Sequence, residues 1–243
     1  MTVTTRVNPT TLAVKPKPFT WTYTKLKNYE ACPKRHLHVD ILKDYEEEES
    51  EELRRGNALH NAMYRRIGSG IALPREFAPY MEPWAQTLTK EFHHAQIIQC
   101  EQKLAITKEL KGSAYMDKVT WFRCKIDYIK LLPTKVNGWF YAHIVDYKTG
   151  RPKEDDTQLA LNAAAVFANY PDVYEIRSDF LWTEYNDVAH YGYKRDDMKA
   201  VWEDLTPRVN QMEKAYIEAS YPARKCGLCK KYCPVYDCEN FGK

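Results

Sequence analysis

Apolar positions along the chain follow two patterns, short runs typical of β-strands and a three- or four-residue spacing typical of helices. Strand-like runs occupy residues 97–106, 121–129, 139–147 and 175–183, and a shorter run at 191–193 predicts an edge strand. Turn residues, Pro133 and the pair Asn137-Gly138, separate the second run from the third. These two runs are therefore predicted to form a β-hairpin.

Helical spacing predicts a short first helix, capped by Thr22 or Thr24 and ended or restarted by Pro33. Four longer helices are predicted at 51–67, 78–94, 158–169 and 196–219. Asp155-Asp156-Thr157 is predicted to cap the third of these, and Pro207 to kink or split the last. The side chains predicted to point inward are Leu53, Leu59, Met63, Ile67, Trp84, Leu88, Phe92, Met198, Val201, Leu205, Val209, Met212 and Tyr216.

Composition narrows the class of protein only slightly. The chain has 243 residues, enough for one sizeable domain, with 44% hydrophobic and 28% charged residues and a net charge of +3. Total charge therefore does not indicate nucleic-acid binding, which would require a local basic groove. Residues 1–18 are polar and lack the apolar core of a secretory signal, and no segment has membrane-spanning length. We expect a flexible N-terminal arm, a cytoplasmic protein without membrane partners, and cysteines that do not form disulfides.

Candidate chemistry is concentrated at the end of the 139–147 run. Asp146 and Lys148 are two apart, so on a strand their side chains share one face. Asp127 lies in the partner strand of the predicted hairpin, which can bring both acids to one end of a sheet. Two carboxylates suit Mg²⁺ or Mn²⁺, and an adjacent lysine can steady the charge that develops during phosphodiester hydrolysis.

Asp127 followed by Asp146-Tyr147-Lys148 resembles the PD-(D/E)xK nuclease superfamily, and the stretch 145–150, Val-Asp-Tyr-Lys-Thr-Gly, resembles its RecB-like branch. The segment 56–60, from Gly56 to His60, is similar to the G-x-x-x-H element of that branch, and Gln158 matches a glutamine that follows the lysine strand. The chain departs from the family pattern at Asn162, where an aromatic residue is usual, and at Cys124, where a glycine is frequent. The resemblance extends from Phe19 to the C-terminus.

The resemblance implies an α/β fold, a small mixed central sheet flanked by helices as in restriction endonucleases, formed by one nuclease domain at 19–243. It implies that His60, Asp127, Asp146 and the Tyr147 carbonyl hold Mg²⁺ or Mn²⁺, with Glu101 as a further candidate ligand. Lys148 would orient the attacking water, and Gln158 would position the lysine or the substrate. The implied activity is a DNA exonuclease acting on single strands or ends, in recombination, repair or phage DNA processing, inside a bacterial or phage-infected cell.

Four cysteines within thirteen residues, Cys226, Cys229, Cys233 and Cys238, are a strong metal-binding signal in a cytosolic chain. They could close a Cys₄ zinc site alone. Alternatively, Cys229, Cys233 and Cys238 join Cys32 around a 4Fe-4S cluster. The second arrangement resembles AddB-type and CRISPR-associated RecB-like nucleases, and it leaves Cys226 spare or as a replacement for Cys229.

Two other functional classes stay open. The chain could be a DNA-binding or adaptor subunit of a recombination or CRISPR-adaptation complex, with a silent nuclease site. A relative that only binds should have lost one of Asp127, Asp146 and Lys148, and this chain keeps all three. A structural protein stabilised by a zinc site would need neither His60 nor the triplet Asp146-Tyr147-Lys148.

Overall fold

A computed structural model describes residues 18–47, 49–90, 92–152 and 155–243, and the side chain of Phe92 is not described. The predicted N-terminal arm, residues 1–18, lies outside these ranges except for Pro18. Within the described ranges, no helix combines the length and the apolar character needed to cross a lipid bilayer.

The centre of the molecule is a six-stranded mixed sheet with the order β2-β1-β3-β4-β5-β6. Its strands are β1 (Ile97–Ile106), β2 (Gly112–Ser113), β3 (Phe122–Pro133), β4 (Phe140–Lys148), β5 (Val173–Trp182) and β6 (Asp187–Lys194). Neighbouring strands are antiparallel except β4 and β5, which run parallel. A parallel pair needs a crossover connection, and a helix between β4 and β5 provides it.

The helices are α1 (Tyr23–Ala31), α2 (Pro33–His36), α3 (Glu51–Ser69), α4 (Ala78–Thr89), α5 (Thr157–Asn169) and α6 (Met198–Glu218). A π-helical segment, Leu37–Leu42, follows α2, and short 3₁₀ turns occupy Phe92–His94 and Arg195–Asp197. Thr22 caps α1, because its side-chain oxygen accepts a hydrogen bond from the Lys25 N–H, and Pro33 restarts the chain as α2.

Each face of the sheet packs on its own helices. Alternation along β4 shows this, because Ala142 and Ile144 belong to the core under α5 and α6, while Val145 and Tyr147 belong to the core under α3 and α4. The predicted α/β fold, a mixed central sheet flanked by helices, is confirmed. The predicted hairpin is β3 and β4, and the predicted edge strand is the longer β6.

Three helix predictions need correction. Helix α4 ends at Thr89, before the predicted limit at 94. Leu53 is 54% exposed, because it lies in the first turn of α3, ahead of the buried positions Leu59, Met63 and Ile67. Pro207 does not split α6, which continues from Met198 to Glu218. Burial of apolar side chains on both sides of the proline offsets the roughly 3 kcal/mol that a proline costs inside a helix.

Candidate functional site

An open cleft of about 1100 Å³ is lined by α3, the middle of β1 and β3, the end of β4 and the start of α5. Its lining includes every residue predicted for the metal and catalytic site, namely His60, Glu101, Asp127, Asp146, Tyr147, Lys148 and Gln158. Neither Asn162 nor Cys124, the two departures from the family pattern, lines the cleft.

The hairpin brings the two predicted acids to the same end of the sheet. Tyr128 on β3 is paired with Val145 on β4, so Asp127 and Asp146 follow at adjacent positions in the same register. Asp127 Oδ2 accepts a hydrogen bond from the Tyr147 N–H at 2.8 Å. Both carboxylates are almost completely buried, with 5% and 3% exposure. Two buried carboxylates this close repel each other unless a cation or a proton lies between them.

His60 joins this pair from α3. Its Nδ1 lies 3.1 Å from Asp127 Oδ1, and its Nε2 lies 3.1 Å from the Tyr147 carbonyl oxygen. Burial alone would lower the pKa of His60, but the hydrogen bond and the negative charge of Asp127 outweigh it and raise that pKa. With acceptors at both ring nitrogens, the metal-free site favours the doubly protonated imidazolium. A cation bound here would have to displace that proton.

Glu101 completes a compact group of ligand atoms. One atom each from His60, Glu101 and Asp127 all lie within 4.8 Å of one another, the only such His, Cys, Asp and Glu group in the described ranges. Glu101 forms an ion pair with Lys125 and has a φ of 57°, in the left-handed region that non-glycine residues rarely adopt. The backbone of β1 is therefore strained where it passes the cleft.

Asp146, next to Asp127, is held by Lys148 and Gln158. Lys148 Nζ lies 2.5 Å from Asp146 Oδ2 and donates to Gln158 Oε1 at 2.8 Å. Gln158 Nε2 closes the triangle by donating to Asp146 Oδ1 at 2.6 Å. Burial and the charge of Asp127 raise the pKa of Asp146 to about 6, although Lys148 and His60 oppose the shift. Lys148 Nζ also lies 5.1 Å from the centre of the Phe180 ring, which helps to fix its position.

Gln158 is positioned by the start of α5. The Thr157 N–H donates to Asp155 Oδ1, and the Tyr23 hydroxyl donates to Asp155 Oδ2 at 3.0 Å. Asp156 occupies the N-cap position but makes no side-chain capping bond, because it accepts from the Tyr193 hydroxyl instead. Of the predicted capping residues, Asp155 makes the side-chain bond, and both acids tie the helix start to other elements.

The cysteines form a second group, far from the cleft in sequence. Cys32 Sγ accepts a hydrogen bond from the Arg224 N–H, and Cys226 Sγ lies 4.0 Å from Cys229 Sγ. Burial raises the pKa of Cys226, and the neighbouring thiols of Cys229 and Cys32 raise it further. Cys238 contacts Glu239 instead. The structure thus brings Cys32, Cys226 and Cys229 together, and no contact joins Cys233 or Cys238 to them within the described residues.

Sequence reasoning missed the basic residues beside the cleft. Lys103 on β1 and Lys125 on β3 are cross-strand partners and both line the cleft wall. The signal was available in β3, where Arg123, Lys125 and Asp127 alternate with apolar residues and so share one face of the strand.

Comparison with known proteins identifies the architecture. The sequence model of the PD-(D/E)XK nuclease superfamily matches residues 20–238. The chain belongs to the PD-(D/E)XK nuclease superfamily. The superfamily match spans the cleft, the whole sheet and all seven cysteines. No curated protein matches the chain.

Two solved structures are similar to this chain. One is a protein from Eubacterium rectale named "Putative exonuclease", with a TM-score of 0.51 and 14% identity over 88% of this chain and 86% of that chain. The crystal structure of SSO0001 aligns with a TM-score of 0.46 and 13% identity over 93% of this chain and 89% of that chain.

Proposed function

We propose that this chain is a metal-dependent DNA exonuclease of the RecB-like branch, formed as one nuclease domain by residues 19–243. The observation that carries the proposal is the arrangement inside one cleft. His60 contacts both Asp127 and the Tyr147 carbonyl, and Asp146, Lys148 and Gln158 form a hydrogen-bonded triangle beside them. A binding protein has no need to bury two acids against a lysine in this way.

The donor set of the cleft fits Mg²⁺ or Mn²⁺. Carboxylate and carbonyl oxygens suit both ions, and the imidazole favours Mn²⁺. His60, Asp127, Asp146 and the Tyr147 carbonyl would hold the ion, with Glu101 as a further ligand. Bound there, the ion would lower the pKa of a water molecule and polarise the scissile phosphate. A positive charge bound beside Asp146 would lower the raised pKa of this carboxyl group.

Lys148 and Gln158 would carry out the remaining steps. Lys148, which pairs with Asp146 and lines the cleft, would orient the attacking water or offset negative charge on the phosphorus. Gln158 holds the lysine from α5 through its side-chain oxygen. The tie between Tyr23 and Asp155 keeps the start of that helix in place, so the lysine has one position at which to act.

The substrate proposal is DNA with single-stranded ends, processed in recombination, repair or phage DNA metabolism in the cytoplasm. The name of the Eubacterium rectale protein agrees with action from an end. A protein partner in a recombination complex is compatible with this activity.

Cleavage of end-labelled single- and double-stranded DNA in Mg²⁺, Mn²⁺ or EDTA tests the proposal. Asp146→Asn removes a charge from the metal's ligands, and Lys148→Ala removes the group that orients water. Each should reduce metal-dependent cleavage by about a thousandfold and leave the fold intact. The exposed residues Asp172 and Lys199 supply matched controls, Asp172→Asn and Lys199→Ala, which should cleave at the wild-type rate.

Undiminished cleavage by purified Asp146→Asn or Lys148→Ala would overturn the assignment. A wild-type protein that binds DNA without cleaving it in either metal would favour the alternative, an adaptor subunit in a recombination or CRISPR-adaptation complex.

We further propose that Cys32 and the C-terminal thiols hold a structural 4Fe-4S cluster, with Cys229, Cys233 and Cys238 as the other ligands and Cys226 as the alternative. The meeting of Cys32 with Cys226 and Cys229 supports a site that draws on both ends of the chain. A zinc site closed by Cys226, Cys229, Cys233 and Cys238 would need four sulfurs about 2.3 Å from one ion. The described thiols do not form even a group of three that is compact enough.

A further inference from the structure

A row of cations continues from the candidate metal cleft along one face of β1 and β3. Arg123, Lys125 and Asp127 alternate along β3 and so lie about 6.6 Å apart on the same side of the sheet. Lys103 on β1 is the cross-strand partner of Lys125. Lys103 and Lys125 are exposed and Arg123 is half-buried. Lys125 is ion-paired with Glu101, whereas Lys103, directly opposite Lys125, lies over an aromatic ring.

An aromatic side chain lies beside the cations. The Tyr115 ring centre is 5.7 Å from Lys103 Nζ and 5.4 Å from Arg123 Cζ. Tyr115 belongs to the loop between β2 and β3, which is closed by hydrogen bonds from the Thr120 hydroxyl and the Asp117 N–H to the Ala114 carbonyl. The ring is therefore held in place by its loop and by the cation–π contacts.

The positive region extends beyond this row to α1. Burial lowers the pKa of the Lys25 ammonium, and the charges of Lys43 and Arg123 lower it further, while Asp40 raises it. Asp40 is already engaged by His36 and Asn28, and Glu101 is engaged by Lys125.

Arg123 Nε is buried and makes no hydrogen bond to any residue that the structure describes. To pair this Nε with a phosphate oxygen, the half-buried Arg123 side chain would have to turn outward.

We propose that Lys103, Arg123, Lys125 and Tyr115 form a track that binds single-stranded DNA and leads it to the cleft. Lys103 and Arg123 contact neighbouring phosphates of one backbone, and Lys125 adds positive charge beside them while it pairs with Glu101. Tyr115 stacks on an unpaired base. The cations occupy adjacent positions on two neighbouring strands, a single group that matches one backbone and not the two of a duplex. Bases in a duplex stack on each other and leave no face for the tyrosine. The inference rests on the proposed nuclease activity, because it names the form of the substrate for the same cleft.

Fluorescence anisotropy with a labelled oligodeoxythymidylate in EDTA measures binding without cleavage. Lys103→Ala/Arg123→Ala should weaken binding by roughly tenfold at moderate salt and make the slope of log affinity against log salt shallower by about 1.4, two contacts at about 0.7 each. Tyr115→Ala should weaken binding by roughly tenfold with an unchanged salt slope, and Tyr115→Phe should restore it. The matched control is Lys199→Ala/Lys214→Ala on the exposed face of α6, which should bind as wild type.

Hydrolysis of a small chromogenic substrate, bis(p-nitrophenyl) phosphate with Mn²⁺, distinguishes a loss of DNA binding from a loss of catalysis. Tyr115→Ala, which removes a ring that does not line the cleft, should hydrolyse it at the wild-type rate while losing activity on oligonucleotides. Wild-type binding of oligodeoxythymidylate by both Lys103→Ala/Arg123→Ala and Tyr115→Ala, with a wild-type salt slope, would overturn the track. So would a loss of duplex binding equal to the loss of single-strand binding.

Failure of the nuclease proposal and failure of the track proposal give different results. A wild-type protein that hydrolyses neither substrate, but binds oligodeoxythymidylate through these residues, contradicts the nuclease proposal and leaves the track standing. Because Arg123 is partly buried, the single variant Lys103→Ala, an exposed position, repeats the test where folding is unaffected. Lys103→Ala should make the slope of log affinity against log salt shallower by about 0.7, half of the change expected for the double variant.

Discussion

Glu101 is the residue in the site whose backbone conformation is least favourable. Its left-handed φ lies in the middle of β1, between two regular pairs, Cys100 with Tyr128 and Gln102 with Ile126. A side chain in this region costs roughly 1–2 kcal/mol, whereas glycine adopts it freely. The surrounding ladder imposes the conformation, and the result is a carboxylate directed at His60 and Asp127. Strain that places a functional group is a recurring feature of active sites.

Glu101→Gly separates strain from function. Glycine removes the strain, so we expect the free energy of unfolding to stay the same or to rise by about 1 kcal/mol. If the carboxylate binds the metal, cleavage should fall by roughly tenfold or more and half-maximal activity should need more Mn²⁺. Thermal melting and a metal titration measure the two effects, and Glu101→Gln supplies the control that removes only the charge. Wild-type cleavage by the glycine variant would exclude Glu101 as a ligand.

His60→Ala tests the ligand contributed by α3. The side chain is 27% exposed and makes its two polar contacts at the cleft, so its packing contribution is small. We expect cleavage to fall by about a hundredfold, with a shift in the Mg²⁺ to Mn²⁺ preference because the nitrogen ligand is lost. The melting temperature should change little. A variant that melts earlier and keeps its activity per folded molecule would remove His60 from the metal site.

At the scale of elements, a buried carboxylate joins the three strands behind the site. Asp179 on β5 accepts from His143 on β4 at 2.7 Å and from His190 on β6 at 2.8 Å. Arg177, two residues earlier on β5, donates to the same carboxylate at 3.0 Å. Burial raises the pKa of Asp179, but these three hydrogen bonds outweigh it and lower the pKa to about 2, from an ordinary value of 3.8.

Asp179→Asn should remove a pH-dependent part of the stability. A pKa lower in the folded than in the unfolded chain contributes stability above about pH 4, and this is lost as the pH falls toward 2. The shift corresponds to roughly 2 kcal/mol. We expect the variant to unfold at lower urea at pH 7 and its curve to converge with that of the wild type in acid. Urea titrations across this range test it, with Asp172→Asn as the matched surface control.

A pH-independent difference between Asp179→Asn and wild type, or a similar loss in Asp172→Asn, would contradict the prediction. Either result would mean that the three hydrogen bonds do not favour the charged form of Asp179.

The contrast between β3/β4 and β5/β6 shows what the sequence can predict. The hairpin follows from local signals, alternating apolar residues with Pro133 and Asn137-Gly138 between them, so the meeting of Asp127 and Asp146 was predictable. The contact of Asp179 with His143 was not predictable. It depends on the register of β4 and β5, a parallel pair joined by a helix, and no local signal in the sequence sets that register. The same limit applies to the hydrogen bond between Tyr23 and Asp155, which joins residues far apart in the chain.

At the scale of the whole molecule, the two described ends of the chain meet. Arg208 on α6 makes a two-pronged ion pair with Glu30 on α1. Lys34 pairs with Glu239 at 3.1 Å, and Arg224 donates from its backbone to Cys32 and from its side chain to the Glu30 carbonyl. Most of these pairs are exposed and contribute little by themselves. A metal centre that used Cys32 would fix the same junction far more strongly.

Cys32→Ser should therefore act on both ends of the chain at once. If Cys32 is a cluster ligand, protein purified without oxygen should be brown with about four irons per chain, and the variant should lose iron. Limited proteolysis should then cut faster both near α1 and near the cysteine-rich segment, residues 226–238. Cys100→Ser, a thiol on β1 away from this group, is the matched control and should keep its iron.

The alternative metal predicts the reverse pattern. A Cys₄ zinc site would give a colourless protein with about one zinc per chain, kept in Cys32→Ser and released in Cys226→Ser. Under the cluster arrangement with Cys229, Cys233 and Cys238, Cys226→Ser is mild. If Cys226 is the ligand instead, as its closeness to Cys229 supports, that variant loses iron as Cys32→Ser does. Stoichiometric zinc without iron, retained in Cys32→Ser, would overturn the cluster while leaving the nuclease site unaffected, because none of these thiols lines the cleft.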